Sequence, residues 1–235
     1  MELKIIARIR TDFPTKFGLP RQSGLSEELC GTIVFEKEFR NPEALRGLED
    51  FSHIWLIWGF SEGFASSSDS GGTWSPTVRP PRLGGNRRMG IFATRSPNRP
   101  NPIALSCVKI ESIEKTDRDG HVIHVSGIDM MDGTPIYDIK PYLPHTESIP
   151  DAKGGFAIPA SEHSLQVECD EEILDIIPSE KREALIAVLS EDPRPSYQND
   201  PEREYGFPFA GFEVKFKVDG NTLKITEIQK NKTEV

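Results

Sequence analysis

The sequence predicts a mostly β fold: an antiparallel β-barrel in the N-terminal part, followed by a smaller α+β domain. Short β-prone segments recur from Leu3 to Ile128 with turn residues between them and no regular βαβ alternation. Pro141 to Pro159 then holds four prolines and the pair Gly154-Gly155, a composition that separates domains. Beyond it lie one helical segment and a clean hairpin. The division expected is a barrel domain over residues 1–145, a linker over 146–160 and a C-terminal domain over 161–235.

The elements follow in order. Leu3 to Ile9 alternates, with Leu3, Ile5 and Ala7 on one side and Lys4 and Arg8 on the other, so it reads as a strand. Phe13 to Leu25 is a loop punctuated by Pro and Gly, and Thr32 to Phe35 a second strand. Asn41-Pro42-Glu43 starts a short helix that ends near Gly47, because Asn accepts from free amides and Pro suits the first turn. His53 to Phe60 is strongly β-prone and reads as a buried central strand. Ser61 to Thr77, with its Ser and Gly runs, reads as a surface loop.

Val78 to Asn101 is rich in Pro, Gly and Arg around one strand, Met89 to Ala93. Strands are expected at Ile103 to Ile113, His121 to Ile128 and Thr134 to Tyr137. In the C-terminal part a strand at Leu165 to Glu168 precedes a helix from about Pro178 to Leu189, with Ser179 as its cap and Asp192-Pro193 as its stop. Phe212, Val214, Phe216 and Val218 alternate into Asp219-Gly220-Asn221, and Leu223 and Ile225 alternate out, which is a hairpin.

Composition narrows the function classes. A hydrophobic fraction of 36% with 28% charged residues fits a soluble globular protein. The longest apolar run, Ile54 to Phe60, is far short of the roughly 20 residues that span a bilayer, and no signal peptide opens the chain. Cys30, Cys107 and Cys169 are scattered without CxxC spacing, so a reducing cytosol is expected and neither a disulfide framework nor a zinc site is. The net charge of −9 is wrong for a generic nucleic-acid binder, but its distribution is uneven. Gly71 to Ile110 contains no Asp or Glu, whereas Arg79, Arg82, Arg87, Arg88, Arg95, Arg99 and Lys109 all fall there. One electropositive surface on an acidic body is implied. No GxGxxG follows the first strand and no Gly-Lys-Ser/Thr occurs, which removes the two common nucleotide-binding frameworks.

Three stretches carry candidate chemistry. Arg79 to Arg88 groups arginines whose planar donors match phosphate, and an acid-free cluster is tolerated more readily where an anion binds; the alternative is a solvated basic loop. Ala93 to Pro102 is a rigid, arginine-bearing strand exit, suited either to clamping a ligand or to protecting a strand end. Asp129 to Pro135 with Asp138 places three carboxylates within ten positions. They lack an EF-hand pattern or His partners, so a turn, a base or a ligand contact competes with metal, and none is expected. The five His residues show neither metal spacing nor a nucleophile partner.

These strings resemble the TsaA-like family of bacterial tRNA methyltransferases, also called TrmO. The resemblance rests on Pro20-Arg21-Gln22, Arg46 to Glu49, Phe51-Ser52-His53, Trp74 to Asn86, Gly90 to Arg95, Arg99 to Ile103, Asp132 to Pro144 and Asp192 to Tyr197. It implies a β-barrel enzyme, acting as a homodimer, that methylates the exocyclic N6 of threonylcarbamoyladenosine 3′ of the anticodon, using S-adenosylmethionine. It also implies cofactor contacts at Arg21, Gln22, Ser61, Glu62, Arg95, Leu105, Ser106, Met131 and Asp132. Many relatives carry His-Gln or a similar pair where this chain has Ser61-Glu62, a change that a backbone contact survives and a side-chain contact does not. Asp132, or a backbone carbonyl, is expected to accept the proton lost from the substrate amine. Arg79, Arg82, Arg87, Arg88 and Arg99 are expected to hold phosphates of the tRNA anticodon stem-loop. The rival readings are a non-catalytic RNA-binding module, which binds tRNA without cofactor, and a metal-dependent hydrolase, which chelators would silence.

Overall fold

The computed structural model describes residues 2–60, 75–80, 83, 86–156, 164–194 and 200–231. Strands β1 (Ala7–Thr11), β2 (Cys30–Phe35) and β3 (His53–Gly59) come first. A small ribbon of β4 (Thr77–Val78) and β5 (Met89–Gly90) follows, then β6 (Ile103–Thr116), β7 (Gly120–Ser126) and β8 (Pro135–Pro141). Six of these close a barrel in the order β1-β2-β7-β6-β3-β8, every neighbouring pair antiparallel. Closure leaves the barrel without a free edge.

Alternation decides which side chains fill it. Ala7 and Ile9 of β1, Ile33 of β2, Ile54, Leu56 and Trp58 of β3, Val108 of β6, Ile123 and Val125 of β7 and Ile136 of β8 are all buried. The first strand starts later than Leu3, which is 44% exposed. Its partners set the limit: β2 pairs from Phe35 opposite Ala7, and β8 from Ile136 opposite the same residue. Upstream of Ala7 only isolated backbone bonds remain, such as Ile6 N to Ile136 O. The helix at Asn41 is a single 3-10 turn, Pro42–Leu45, capped as expected by Asn41 Oδ1 accepting from Glu43 N at 3.1 Å. Met89 to Ala93 is not one strand. It changes after Gly90 into a 3-10 turn, Ile91–Ala93, whose Ile91 N bonds Pro76 O across the base of the ribbon.

After β8 comes α1 (Pro144–Glu147), beside the barrel, and the C-terminal part then comprises β9 (Gln166–Glu168), α2 (Glu171–Leu174), α3 (Ser179–Ser190), β10 (Tyr205–Phe209), β11 (Phe212–Asp219) and β12 (Thr222–Lys230). Its sheet runs β10-β11-β12-β9, with β9 parallel to β12. The β11–β12 hairpin turns at Gly220-Asn221, between the pair Asp219 and Thr222, with Gly220 at φ +57. Ala184, Leu185, Val188 and Leu189 bury one face of α3. Pro178, not Ser179, occupies its N-cap position, and the Ser179 hydroxyl turns to Glu180 instead.

The barrel and the C-terminal sheet share one contiguous apolar core. The segment after β1 makes the junction. Phe13 meets Phe209 edge-on at 5.3 Å, Phe17 lies 6.0 Å from Phe207, and Ala210 N bonds Asp12 O at 2.9 Å. At the outer wall of the barrel, Trp55 Nε1 reaches both Glu147 oxygens at 3.0 Å and fastens α1 to β3.

Candidate active site

One end of the barrel opens into a cavity of about 960 Å³, near the upper end of the range of roughly 300–1,000 Å³ usual for small-molecule sites. The end of β3 (Ile57, Trp58), Phe60, and the start of β6 (Ile103 to Ser106) form its floor. Pairing places them: Ile57 faces Leu105, and Leu56 faces Ser106 across the antiparallel ladder. Gly59, the last residue of β3, carries no side chain where a Cβ would collide with the Tyr137 hydroxyl. The walls are loops: Lys16 and Leu19 to Gln22 on one side, Thr94 to Arg99 on another, and Asp129, Met131 and Thr134 after β7.

The loops brace one another. Arg95 Nη1 donates to Gln22 Oε1 at 2.6 Å, which ties the strand exit to the Pro20-Arg21-Gln22 loop. Gln22 Nε2 donates to Arg21 O at 2.6 Å. Arg99 Nη1 donates to Thr94 O and Ser96 O at 3.0 and 3.3 Å, so this guanidinium holds its own loop while lining the cavity.

The floor holds a buried polar chain. Trp58 Nε1 donates to Ser106 Oγ at 2.9 Å, and Ser106 Oγ donates to Asp129 Oδ1 at 2.6 Å. Burial pushes the Asp129 carboxyl up to about 6, against hydrogen bonds from Ser106 and from the amides of Asp129 and Ser23, and against the charge of Arg95. Asp129 is the one carboxylate among the described lining residues, and Lys16, Arg21, Arg95 and Arg99 share the cavity with it.

Of the positions implied by resemblance, Arg21, Gln22, Arg95, Leu105, Ser106 and Met131 line this cavity. Asp132 does not. It is exposed, its Oδ1 accepts from Thr11 N at 3.0 Å, and its N donates to Phe13 O at 2.8 Å, so its carboxylate closes a turn. Ser61 and Glu62 lie outside the described residues, as does Arg82. Arg79 and Arg88 are exposed and flank the Val78–Met89 pair, at the end of the β4–β5 ribbon from which the connecting residues depart, with exposed Arg87 next in line. Asp138 is occupied by Lys140 at 2.9 Å, and among the described residues no three His, Cys, Asp or Glu side chains group as metal ligands. The sequence reading counted Asp129 among three candidate carboxylates without singling it out, and gave Trp58 no part in the site. A Trp indole and a serine hydroxyl on inward-facing strand positions were the available signal, since both need a polar partner inside.

Comparison with known proteins places this geometry in a family. Two family models match the chain, the tRNA-methyltransferase O N-terminal domain over residues 8–148 and the TrmO C-terminal domain over residues 162–231. A tRNA (adenine(37)-N6)-methyltransferase of Escherichia coli K12 is 40% identical over 224 residues, covering 91% of each chain. Another from Eikenella corrodens is 45% identical over 169 residues, covering 72% of this chain and 92% of that one. The crystal structure of TrmO from Pseudomonas aeruginosa superimposes with a TM-score of 0.75 at 30% identity, over 97% of this chain and 98% of that one. The chain belongs to the TrmO family of tRNA methyltransferases.

Proposed function

We propose that this protein transfers a methyl group from S-adenosylmethionine to the exocyclic N6 of threonylcarbamoyladenosine at position 37 of tRNA, beside the anticodon. The observation that carries this reading is the convergence of Arg21, Gln22, Arg95, Leu105, Ser106 and Met131, far apart in sequence, on one cavity. The donor set suits the cofactor. Leu19, Ile57, Phe60, Ala104 and Leu105 offer apolar surface, while Asp129 and the arginines offer charges of both signs to a ligand that carries both.

S-adenosylmethionine supplies a methyl group already activated on a sulfonium. What remains for the chain is alignment, worth roughly 7–11 kcal/mol in favourable cases. The Arg95–Gln22 bond sets the two loops at a fixed separation, and the apolar floor excludes water. Arg79, Arg87 and Arg88 stand ready for backbone phosphates of the anticodon stem-loop. The same reading extends to a cytoplasmic homodimer. Light scattering should return twice the 26.3 kDa of one chain.

The test is calorimetric titration with S-adenosylmethionine, followed by transfer of labelled methyl to tRNA with or without the threonylcarbamoyl group. Saturable binding and transfer only to the modified tRNA are expected. Binding of tRNA without cofactor would replace this reading with an RNA-binding module. Transfer to both tRNAs alike would remove the threonylcarbamoyl group from the specificity.

A further inference from the structure

We propose that Asp129 is the proton acceptor in the methyl transfer, and that Ser106, held by Trp58, positions its carboxylate. The proposal rests on the methyltransferase reading above and adds the residue that moves the proton.

The geometry is directional. An indole nitrogen only donates, so the Trp58 bond uses a lone pair of the Ser106 oxygen and leaves the hydroxyl proton free to point onward. It points to Asp129 Oδ1, only 2.6 Å away, the short distance of a bond to an ionised oxygen. Ser106 is 1% exposed and Trp58 6%, so neither side chain has room to swing. Asp129 itself faces the cavity. The charged groups lining that cavity with it are Lys16 and Arg21 from the first loop and Arg95 and Arg99 from the strand exit. No other described carboxylate reaches it, and Asp132 is spent on Thr11 N.

The chemistry requires such a group. An exocyclic nitrogen flanked by a purine and a carbamoyl carbonyl has its lone pair drawn into both, and it becomes a competent nucleophile as its proton leaves. In the balanced step, the N6 proton moves to the Asp129 oxygen that Ser106 does not hold. The nitrogen pair forms the bond to the methyl carbon, and the carbon–sulfur bond breaks with its pair left on sulfur as a neutral thioether. Asp129, now a neutral acid, returns the proton to water once the products leave. A carboxyl whose burial lifts it to about 6 is ionised at neutral pH and still basic enough to take part.

Three variants test this, read by binding and turnover and by carboxyl titration. Asp129→Asn keeps the shape and can still accept from Ser106, so it should bind S-adenosylmethionine within about threefold of the parent while single-turnover transfer falls roughly 10²–10⁴-fold. Asp129→Glu should recover part of that loss. In the free protein, a carboxyl ¹³C titration should find a group near pH 6 that Asp129→Asn removes and Ser106→Ala moves upward, because the variant loses a bond to the ionised form. The acidic limb of the turnover profile should move with it. Full turnover in Asp129→Asn would overturn the proposal. So would cofactor affinity falling as steeply as turnover, which would make Asp129 a cofactor anchor. A carboxyl titration unmoved by Ser106→Ala would overturn the positioning role. If the parent protein neither binds the cofactor nor transfers methyl, it is the functional reading beneath that fails.

Discussion

On the floor of the cavity, Trp58, Ser106 and Asp129 are held by hydrogen bonds between neighbouring barrel strands and the turn beside them. On the facing wall, Lys16 to Gln22 is held from outside the barrel, through Phe13 on Phe209 and Phe17 beside Phe207. Gly18 lies between, at φ +87, where a Cβ would come within 2.7 Å of the Phe207 ring. The floor is thus fixed by local strand pairing, whereas the position of the wall depends on the C-terminal sheet. The C-terminal sheet thus shapes one wall of the cavity. The two regions should therefore answer differently to the same kind of damage.

The largest effect is expected where the wall is anchored. Phe207 is 1% exposed, and Phe207→Ala should cost roughly 3–5 kcal/mol of stability in chemical denaturation. It should also weaken cofactor binding more than about tenfold below the unfolding transition, although Phe207 does not line the cavity. The Asp129 titration should shift only by the part that Ser23 and Arg95 contribute, because its burial and its bond from Ser106 do not lean on Phe207. Unchanged cofactor affinity would break the comparison, since the loop would then hold its place without the sheet.

The floor carries its own cost, and it has a sign. Burial raises the folded carboxyl of Asp129 to about 6, well above the ordinary carboxylate range, so folding favours its protonated form. That preference stabilises the fold below pH 4 and is lost as pH rises through 6. Above that, the ionised group costs on the order of 2–3 kcal/mol. Asp129→Asn should therefore raise stability at pH 8 by about that amount and leave it nearly unchanged at pH 3.5, which thermal unfolding at the two pH values would measure. An equal effect at both would mean that the gain is packing and not charge. Carrying an unfavourable buried charge at working pH is what a site selected for chemistry would show.

How far the sequence reached follows the same line. The β11–β12 hairpin was legible because Phe212 to Val218 alternates without interruption into a Gly turn, and β3 because its residues have no use outside a core. Strand β10 was not, since Pro208 sits inside it; a proline is tolerated there because β10 is the edge of its sheet. Of the cavity loops, the Ala93 to Pro102 exit was legible from its Pro and Arg content, whereas Arg21, Gln22 and Met131 were reached through the family resemblance. Asp129 was one of three carboxylates noted, but what sets it apart comes from strand register, which brings Ser106 of β6 to the turn after β7, and no local pattern encodes that meeting. Asp132 drew notice through Asp-Gly-Thr-Pro, a string whose first duty is the turn itself.

The smallest effect tests whether charge or apolar packing places the wall. Lys181 of α3 donates to Asp12 Oδ2 at 2.6 Å, with side-chain exposures of 34% and 23%. A pair this open is worth roughly 0.2–1 kcal/mol and is screened by salt. Asp12 is also held by its backbone, through Ala210 N, and its neighbour Phe13 is buried against Phe209. Lys181→Met should therefore lower stability by less than about 1 kcal/mol, and the difference should shrink in 1 M salt, where the Debye length is about 3 Å. Cofactor affinity should stay within about twofold, because the aromatic contacts remain. A loss of tenfold or more, recovered by no salt condition, would mean that the ion pair rather than Phe13 and Phe17 sets the loop, and the wall would then have to be described as electrostatically placed.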